Sequence, residues 1–357
     1  MNKKNKTIII LIFIMISLSI YYKIMPHITK ASPSNSAEIV MELNTNRVVH
    51  SLNQNEKKYM ASTTKILTAI TVIENCKLDD IVEVKKETTG IEGSSIYLEA
   101  GEKLSVKDLL YGLMLRSGND CAETLAVHCS GSIENFAELM NKTALNIGAN
   151  NSNFVNPHGL HDDNHYTTAY DLALISCYAM KNSEFREIVA TKSVEIPFTT
   201  RNYNRRLINK NKMLKDFDGS TGIKTGFTKK AGRCLVSSAK RNGMEFICVV
   251  LNCPPMFEKS KTLLSSAFNN YQNYKIMESD NIVKFIDIDG IKCGICINKD
   301  IVLPLTQFEK DNLEIKLDIL KNLKKPIKKG QEVGYVKIYC KNNLLFTEKI
   351  YTIIDVN

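Results

Sequence analysis

The chain is 357 residues long, 44% hydrophobic and 24% charged, with a formal net charge of +9. That length implies about two domains, and the composition excludes a disordered, collagen-like or multi-span membrane chain. Of its 47 basic residues 39 are Lys and 8 are Arg, without an Arg-rich or aromatic-interleaved stripe, so no nucleic-acid partner is expected.

The first elements read as an export segment. Lys3, Lys4 and Lys6 precede residues 7–22, which are uncharged and almost wholly apolar. Sixteen residues of helix span about 24 Å, short of a hydrocarbon core of about 30 Å. The pattern predicts a secretory signal cleaved after Ala31, or else an uncleaved signal-anchor. Either places the remaining chain outside the cytoplasm, secreted or attached to the outer face of the membrane.

Residues 37–49 alternate apolar and polar with a polar break at 44–46, the pattern of a β-hairpin. Residues 60–75 space Ile66, Leu67, Ile70 and Ile73 as one face of a helix. Residues 105–115 and 121–129 read as two helices separated by a polar turn at 117–120, and 168–180 as another helix. Residues 232–239 and 245–251 read as adjacent strands joined by the tight turn Asn242-Gly243. A helix over 259–274 closes this part. From about residue 276 short strands take over, with residues 335–340 and 344–351 as a hairpin. The expected organisation is a signal or anchor over 1–31, a main domain over 32–275 and a β-rich domain over 276–357. The tail, residues 353–357, offers no amphipathic anchor helix.

Charge and cysteine each leave a question. Residues 201–241 hold 12 Lys and Arg against Asp216 and Asp218, a local net of +10. This reads either as a solvated face or as attraction for an anionic substrate or wall polymer. The 10 Cys are scattered, and Cys293 and Cys296 form a single C-x-x-C, short of the four ligands of a zinc ribbon. A chain that builds its own core makes incidental thiols the better reading.

Three motifs carry chemistry. In Ser62-Thr63-Thr64-Lys65 the Ser and Lys stand one helical turn apart on one face. A Ser hydroxyl needs an adjacent base, and a Lys amine becomes one when burial or a second cation lowers its pKa. A Ser at a helix start also meets backbone N–H groups suited to an oxyanion. Ser117-Gly118-Asn119 lies in the turn between two predicted helices, where a hydroxyl can relay a proton and an amide can hold a substrate peptide group. Lys224-Thr225-Gly226 offers a cation and a hydroxyl to a terminal carboxylate, and Gly226 allows close approach to a strand edge that can pair with an extended peptide.

In this order the three form the known signature of penicillin-binding proteins and class A β-lactamases. The chain resembles the D-alanyl-D-alanine carboxypeptidases, the low-molecular-mass penicillin-binding proteins, over about residues 37–270. Gly93-Ser94-Ser95, Asn156-Pro157-His158-Gly159-Leu160 and His165-Tyr166-Thr167-Thr168-Ala169-Tyr170-Asp171-Leu172 extend the resemblance, and residues 326–338 resemble the family's C-terminal domain. One departure is Arg233, after Ala231-Gly232, where an aromatic residue is expected.

The resemblance implies an α/β (α+β) serine penicillin-recognising fold: an antiparallel sheet with a helical subdomain, followed by a small all-β domain. It implies a peptidoglycan stem peptide ending in D-Ala-D-Ala as substrate, β-lactams as acylating inhibitors, and no cofactor or metal. It makes Ser62 the nucleophile, Lys65 the base and Ser117 the proton relay. Asn119 would hold the substrate amide, Lys224 and Thr225 the terminal carboxylate, and the N–H groups of Ser62 and Phe227 the oxyanion. His158, His161, Asp162, Asp163 and His165 have spacing a zinc site could use, but they fall in a loop of the family, with His158 fixing a turn beneath the site. The alternatives are a β-lactamase or DD-endopeptidase of the same fold, or an inactive wall-binding protein. Glu184, Glu187 and Glu195 fall where a deacylating β-lactamase Glu would lie, none in a Glu-x-x-Leu-Asn setting. Retention of Ser62, Lys65, Ser117, Asn119 and Lys224 argues against an inactive site.

Overall fold

The computed structural model describes residues 35–357, and the expected export segment, residues 1–31, falls outside the described residues. A five-stranded antiparallel sheet organises the first part. It is built from β1 (Ala37–Glu42), β2 (Val48–Leu52), β7 (Ser220–Thr228), β8 (Gly232–Arg241) and β9 (Met244–Leu251), in the order β2-β1-β9-β8-β7. Two small antiparallel pairs lie outside it: β3 (Ile81–Glu83) with β4 (Lys103–Ser105), and β5 (Ser193–Ile196) with β6 (Arg205–Ile208).

The central strands are largely apolar and buried along most of their length because both sheet faces are covered, with Glu38, Glu42 and Glu245 among their buried polar residues. Every residue of β9 is buried. Ile247, Val249 and Leu251 face the larger core beneath the helical subdomain, while Phe246, Cys248 and Val250 face the helix Met256–Asn270. The side-chain period of two thus survives as a division between two cores rather than between core and water. The expected hairpin of β8 and β9 turns at Asn242 and Gly243, with φ of +49° and +76°, as a two-residue turn that follows the strand twist requires.

The helix Lys65–Asn75 runs through the helical subdomain with its first eight residues buried, so the expected apolar face is only part of what is covered. It packs on Asn119–Ser130, Ile133–Ile147 and Ala169–Ala179. The helix Ile133–Ile147 was not anticipated, although Phe136, Met140 and Ala144 lie four apart on its buried side and Ser132 caps its start by accepting from Asn135 N–H at 3.1 Å.

The helix expected over 259–274 is instead Met256–Asn270, after which the chain becomes β10 (Gln272–Met277). The last turn is lost because β13 (Ile301–Leu305), distant in sequence, pairs antiparallel with it. The rest of the C-terminal part is a five-stranded sheet of β11 (Lys284–Ile288), β12 (Ile291–Cys296), β14 (Leu313–Ile319), β15 (Glu332–Cys340) and β16 (Asn343–Thr352), ordered β11-β12-β16-β15-β14 around its own core. The predicted hairpin is β15 and β16. Arg47, buried, joins the two parts: its guanidinium donates to Pro304 C=O, pairs with Glu309 and lies 5.4 Å from the centre of the Tyr271 ring. Among the described residues no helix is long and apolar enough to cross a membrane.

Candidate active site

Ser62 sits in a 3-10 turn, Ala61–Thr64, that leads into Lys65–Asn75. Ala61 adopts φ +48°, a left-handed conformation unfavourable for alanine, so the surroundings must hold it. A relay of hydrogen bonds does so. Val155 N–H donates to His165 Nδ1 at 3.1 Å, which leaves the proton on Nε2. Nε2–H then donates to Thr64 Oγ1 at 2.8 Å, and Thr64 Oγ1 donates to Ala61 C=O at 2.8 Å. Burial drives the His165 pKa down to about 3, so the ring stays neutral as the relay requires.

Gly159 closes the turn from the other side. Its φ is +86°, and a Cβ there would stand 2.0 Å from Ala61 O. Gly159→Ala should therefore destabilise the protein by roughly 2 kcal/mol or more and slow acylation through a displaced Ser62. Chemical denaturation and penicillin acylation of the variant check this; wild-type values for both would mean that the packing at Ala61 yields freely.

Lys65 is fully buried. Its Nζ lies 2.7 Å from Asn119 Oδ1, 2.6 Å from His158 C=O and 3.3 Å from Ser62 Oγ. The first two partners can only accept. A neutral amine has two N–H bonds for them and one lone pair, which then faces the Ser62 hydroxyl. Burial, and next the Lys224 cation, hold the Lys65 pKa well below the ordinary lysine range. The geometry and the electrostatics both describe a poised base.

Asn119 begins the helix Asn119–Ser130 and is held from several sides. Its backbone N–H donates to Ser94 C=O at 2.7 Å and its Nδ2 to Glu92 C=O at 2.5 Å. The carboxamide therefore orients Lys65 through Oδ1, while Nδ2, which carries two N–H bonds, gives one to Glu92 C=O and keeps one to offer elsewhere. Asp120, buried, pins the same loop by accepting from Ser95 Oγ at 2.5 Å and from Ile96 and Leu98 N–H at 3.1 Å each. Arg205 clamps it from behind, donating to Ile96 and Tyr97 C=O and pairing with the fully buried Glu102.

Ser117 has φ +66°, and its Oγ is buried without a hydrogen-bond partner among the described residues. It lines an open cleft of about 340 Å³ with Ser62, Ser94, Lys210, Thr225, Gly226, Phe227, Arg233, Met256 and Phe257. Lys224 lies beneath this surface, buried, with Nζ donating to Thr225 C=O at 3.0 Å; burial and then Lys210 lower its pKa to about 7. Gly226 does allow a close approach, but to the protein itself: a Cβ would meet Met60 O, Ser62 N and Thr63 N at 3.1 Å each. The edge strand β7 is thereby drawn against the turn that carries Ser62.

A model of the D-alanyl-D-alanine carboxypeptidase family matches residues 27–254, and a model of the C-terminal domain of penicillin-binding protein 5 matches residues 271–357. The chain belongs to the D-alanyl-D-alanine carboxypeptidase family. It is 31% identical to the carboxypeptidase DacF of Bacillus subtilis, covering 83% of this chain and 79% of that one. It is 32% identical to DacA of Haemophilus influenzae, covering 84% and 79%. Among solved structures, penicillin-binding protein 5 of Haemophilus influenzae matches with a TM-score of 0.79 at 28% identity, over 90% of this chain and 97% of that one. The expected family, the hydrolase class and the penicillin-binding fold with its all-β C-terminal part are all borne out.

Within this family member the three motifs converge as anticipated, and the histidine loop serves structure. His158 Nδ1 accepts from Leu160 N–H at 3.1 Å and Nε2 faces Glu123 at 3.3 Å, His161 faces Asp163, and His165 holds the nucleophile turn. Ser94, Lys210 and Arg233 line the cleft without having been assigned roles there. Ser94 lies in Gly93-Ser94-Ser95, and Lys210 and Arg233 lie in the basic segment 201–241. That segment is no uniform solvated face: Arg201 and Arg205 pair with Glu99 and Glu102, while Lys210, Lys224 and Arg233 are at the site.

Proposed function

We propose that this chain removes the terminal D-alanine from peptidoglycan stem peptides through an acyl-enzyme on Ser62. The observation that carries this reading is the set of three partners around Lys65, which leaves its lone pair for the Ser62 proton. Ser62 Oγ attacks the carbonyl between the two D-alanines as its proton passes to Lys65. The N–H groups of Ser62 and Phe227 hold the oxyanion. Ser117 passes the proton to the departing D-alanine, Lys224 and Thr225 hold the terminal carboxylate, and Asn119 fixes Lys65 and receives the substrate amide. Water then hydrolyses the ester. β-Lactams acylate the same Ser62. The substrate lies outside the cytoplasm, and the N-terminal segment is proposed to export the chain or to anchor it on the outer face of the membrane.

The cleft lining supports hydrolysis of peptide over hydrolysis of penicillin, since none of its residues is a carboxylate. Glu184 and Glu187 are engaged elsewhere, both with Lys107, and Glu195 lies in β5 opposite Arg206. The test compares lifetimes of the two acyl-enzymes by mass spectrometry alongside D-alanine release. The penicilloyl adduct should outlast the peptidyl one by roughly 10²–10⁴-fold, the contribution of a missing general base. Rapid penicillin turnover with negligible D-alanine release would make the protein a β-lactamase.

We also assign the chemistry to the first domain, residues 32–275, with the β domain over 276–357 outside it. The cleft lining extends no further than Phe257. A chain ending at Lys275 should acylate within about twofold of the full protein if folded, yet be less stable, because β10 loses its pairing with β13 and Arg47 loses its bonds to Pro304 and Glu309. Thermal denaturation and penicillin labelling measure the two effects. A folded truncation without labelling would bring the second domain into the site.

A further inference from the structure

Arg233 is the point where the chain departs from the aromatic residue expected of its family, and its setting gives the departure a purpose. Arg233 and Phe227 are register partners across β8 and β7, so their side chains stand on the same sheet face. The Arg233 guanidinium lies 4.6 Å from the centre of the Phe227 ring, and both side chains are exposed at the cleft. Stacking on the ring restrains the guanidinium while leaving its edge free to donate. Arg233 has no carboxylate partner among the described residues, and no carboxylate lines the cleft. This cation therefore faces the cleft without an internal counter-charge.

The direction of the substrate follows from the order of groups along β7. Thr225, proposed to hold the terminal carboxylate, comes first, and the N–H of Phe227, proposed to hold the oxyanion, lies about 7 Å further along the strand. A peptide bound with its carboxylate at Thr225 and its scissile carbonyl at Phe227 continues its acyl side beyond Phe227, leaving the cleft beside the Phe227 ring and the Arg233 guanidinium stacked on it. We infer that Arg233, mounted on Phe227, is a specificity residue that binds a free carboxylate on the side chain of the residue preceding the two D-alanines. The inference rests on the carboxypeptidase reading above and adds the charge of the preferred acyl group. Lys210, donating to Ser94 Oγ at 3.1 Å in the same cleft, strengthens the positive field that draws such a substrate in.

The test uses two synthetic N-acyl tripeptides ending in D-Ala-D-Ala, identical except that the side chain of the preceding residue ends in a carboxylate or in its primary amide. For the wild-type protein, kcat/KM for D-alanine release should favour the carboxylate peptide about tenfold at low salt, and the ratio should shrink towards one as salt rises. Arg233→Gln should bring the ratio to about one at low salt, chiefly through KM, and Arg233→Lys should restore part of it. Penicillin acylation of each variant reports whether the site is still assembled. An equal rate for the two peptides in the wild type, or an unchanged ratio in a penicillin-reactive Arg233→Gln, would overturn the inference while leaving the carboxypeptidase reading standing. Absence of D-alanine release from either peptide by the wild type would overturn both.

Discussion

Ser62→Ala should abolish covalent penicillin labelling and lower D-alanine release on the order of 10⁶-fold, as single removals of a serine nucleophile do elsewhere. The size follows from the division of labour in the site. Lys65 can receive a proton and the backbone can hold an oxyanion, but no other cleft hydroxyl stands beside the base: Lys65 Nζ contacts Ser62 Oγ at 3.3 Å, while Ser117 Oγ has no partner among the described residues. The fold should be unaffected. Ser62 is only half-buried, and removing one hydroxyl hydrogen bond changes stability by about 1 kcal/mol. Intact-mass measurement after incubation with penicillin is the direct check. A labelled Ser62→Ala protein would place the nucleophile elsewhere.

Lys65→Arg should be nearly inactive, with acylation lowered roughly 10²–10⁴-fold, because a guanidinium has no lone pair to offer at working pH. The wild-type pH profile carries the same argument with its sign. Below the lowered pKa of Lys65 the amine is protonated and cannot accept the Ser62 proton, so acylation rises as pH rises through that value. The opposite limb comes from Lys224, whose pKa of about 7 means that the free protein loses this cation as pH rises further. The substrate carboxylate then loses its charge partner. The profile of kcat/KM for a peptide should therefore be bell-shaped, with its falling limb near 7. In kcat that limb should move upward, because a bound carboxylate favours the protonated amine. Rates measured across pH about 5 to 10 test both limbs. Wild-type-like acylation by Lys65→Arg, or a flat profile, would remove Lys65 from the role of base.

The site was largely legible because its chemistry is written locally. Ser62 and Lys65 share one helical turn, Ser117 and Asn119 one loop, and Lys224 to Phe227 one strand. Folding adds neighbours to them that the local sequence does not show. Asn119 reads as a substrate ligand, and its carboxamide also bridges Lys65 and Glu92 with one Nδ2 N–H left over. Gly226 reads as making room for a ligand and lines the cleft, and its missing Cβ also makes room for the turn that carries Ser62. In both cases the sequence shows which groups are offered and not which neighbours they also serve.

Periodicity and motif spacing by themselves determined the central strands, the helix that follows Ser62 and the order of the three motifs, and the resemblance these carry implied the chemistry. These depend on residues a few positions apart, whose relation is set by the local backbone. Only the tertiary structure decided that Lys65 is wholly buried with two acceptor-only partners, that His165 holds Ala61 in a left-handed turn, and that Arg233 stacks on Phe227 at the cleft. It also decided that residues 272–277 are a strand, since their partner lies in β13. Each of these rests on contacts between segments far apart in the chain, and on the loss of water that packing them together brings. That loss of water is the first cause of the lowered Lys65 pKa on which its proposed role as base depends.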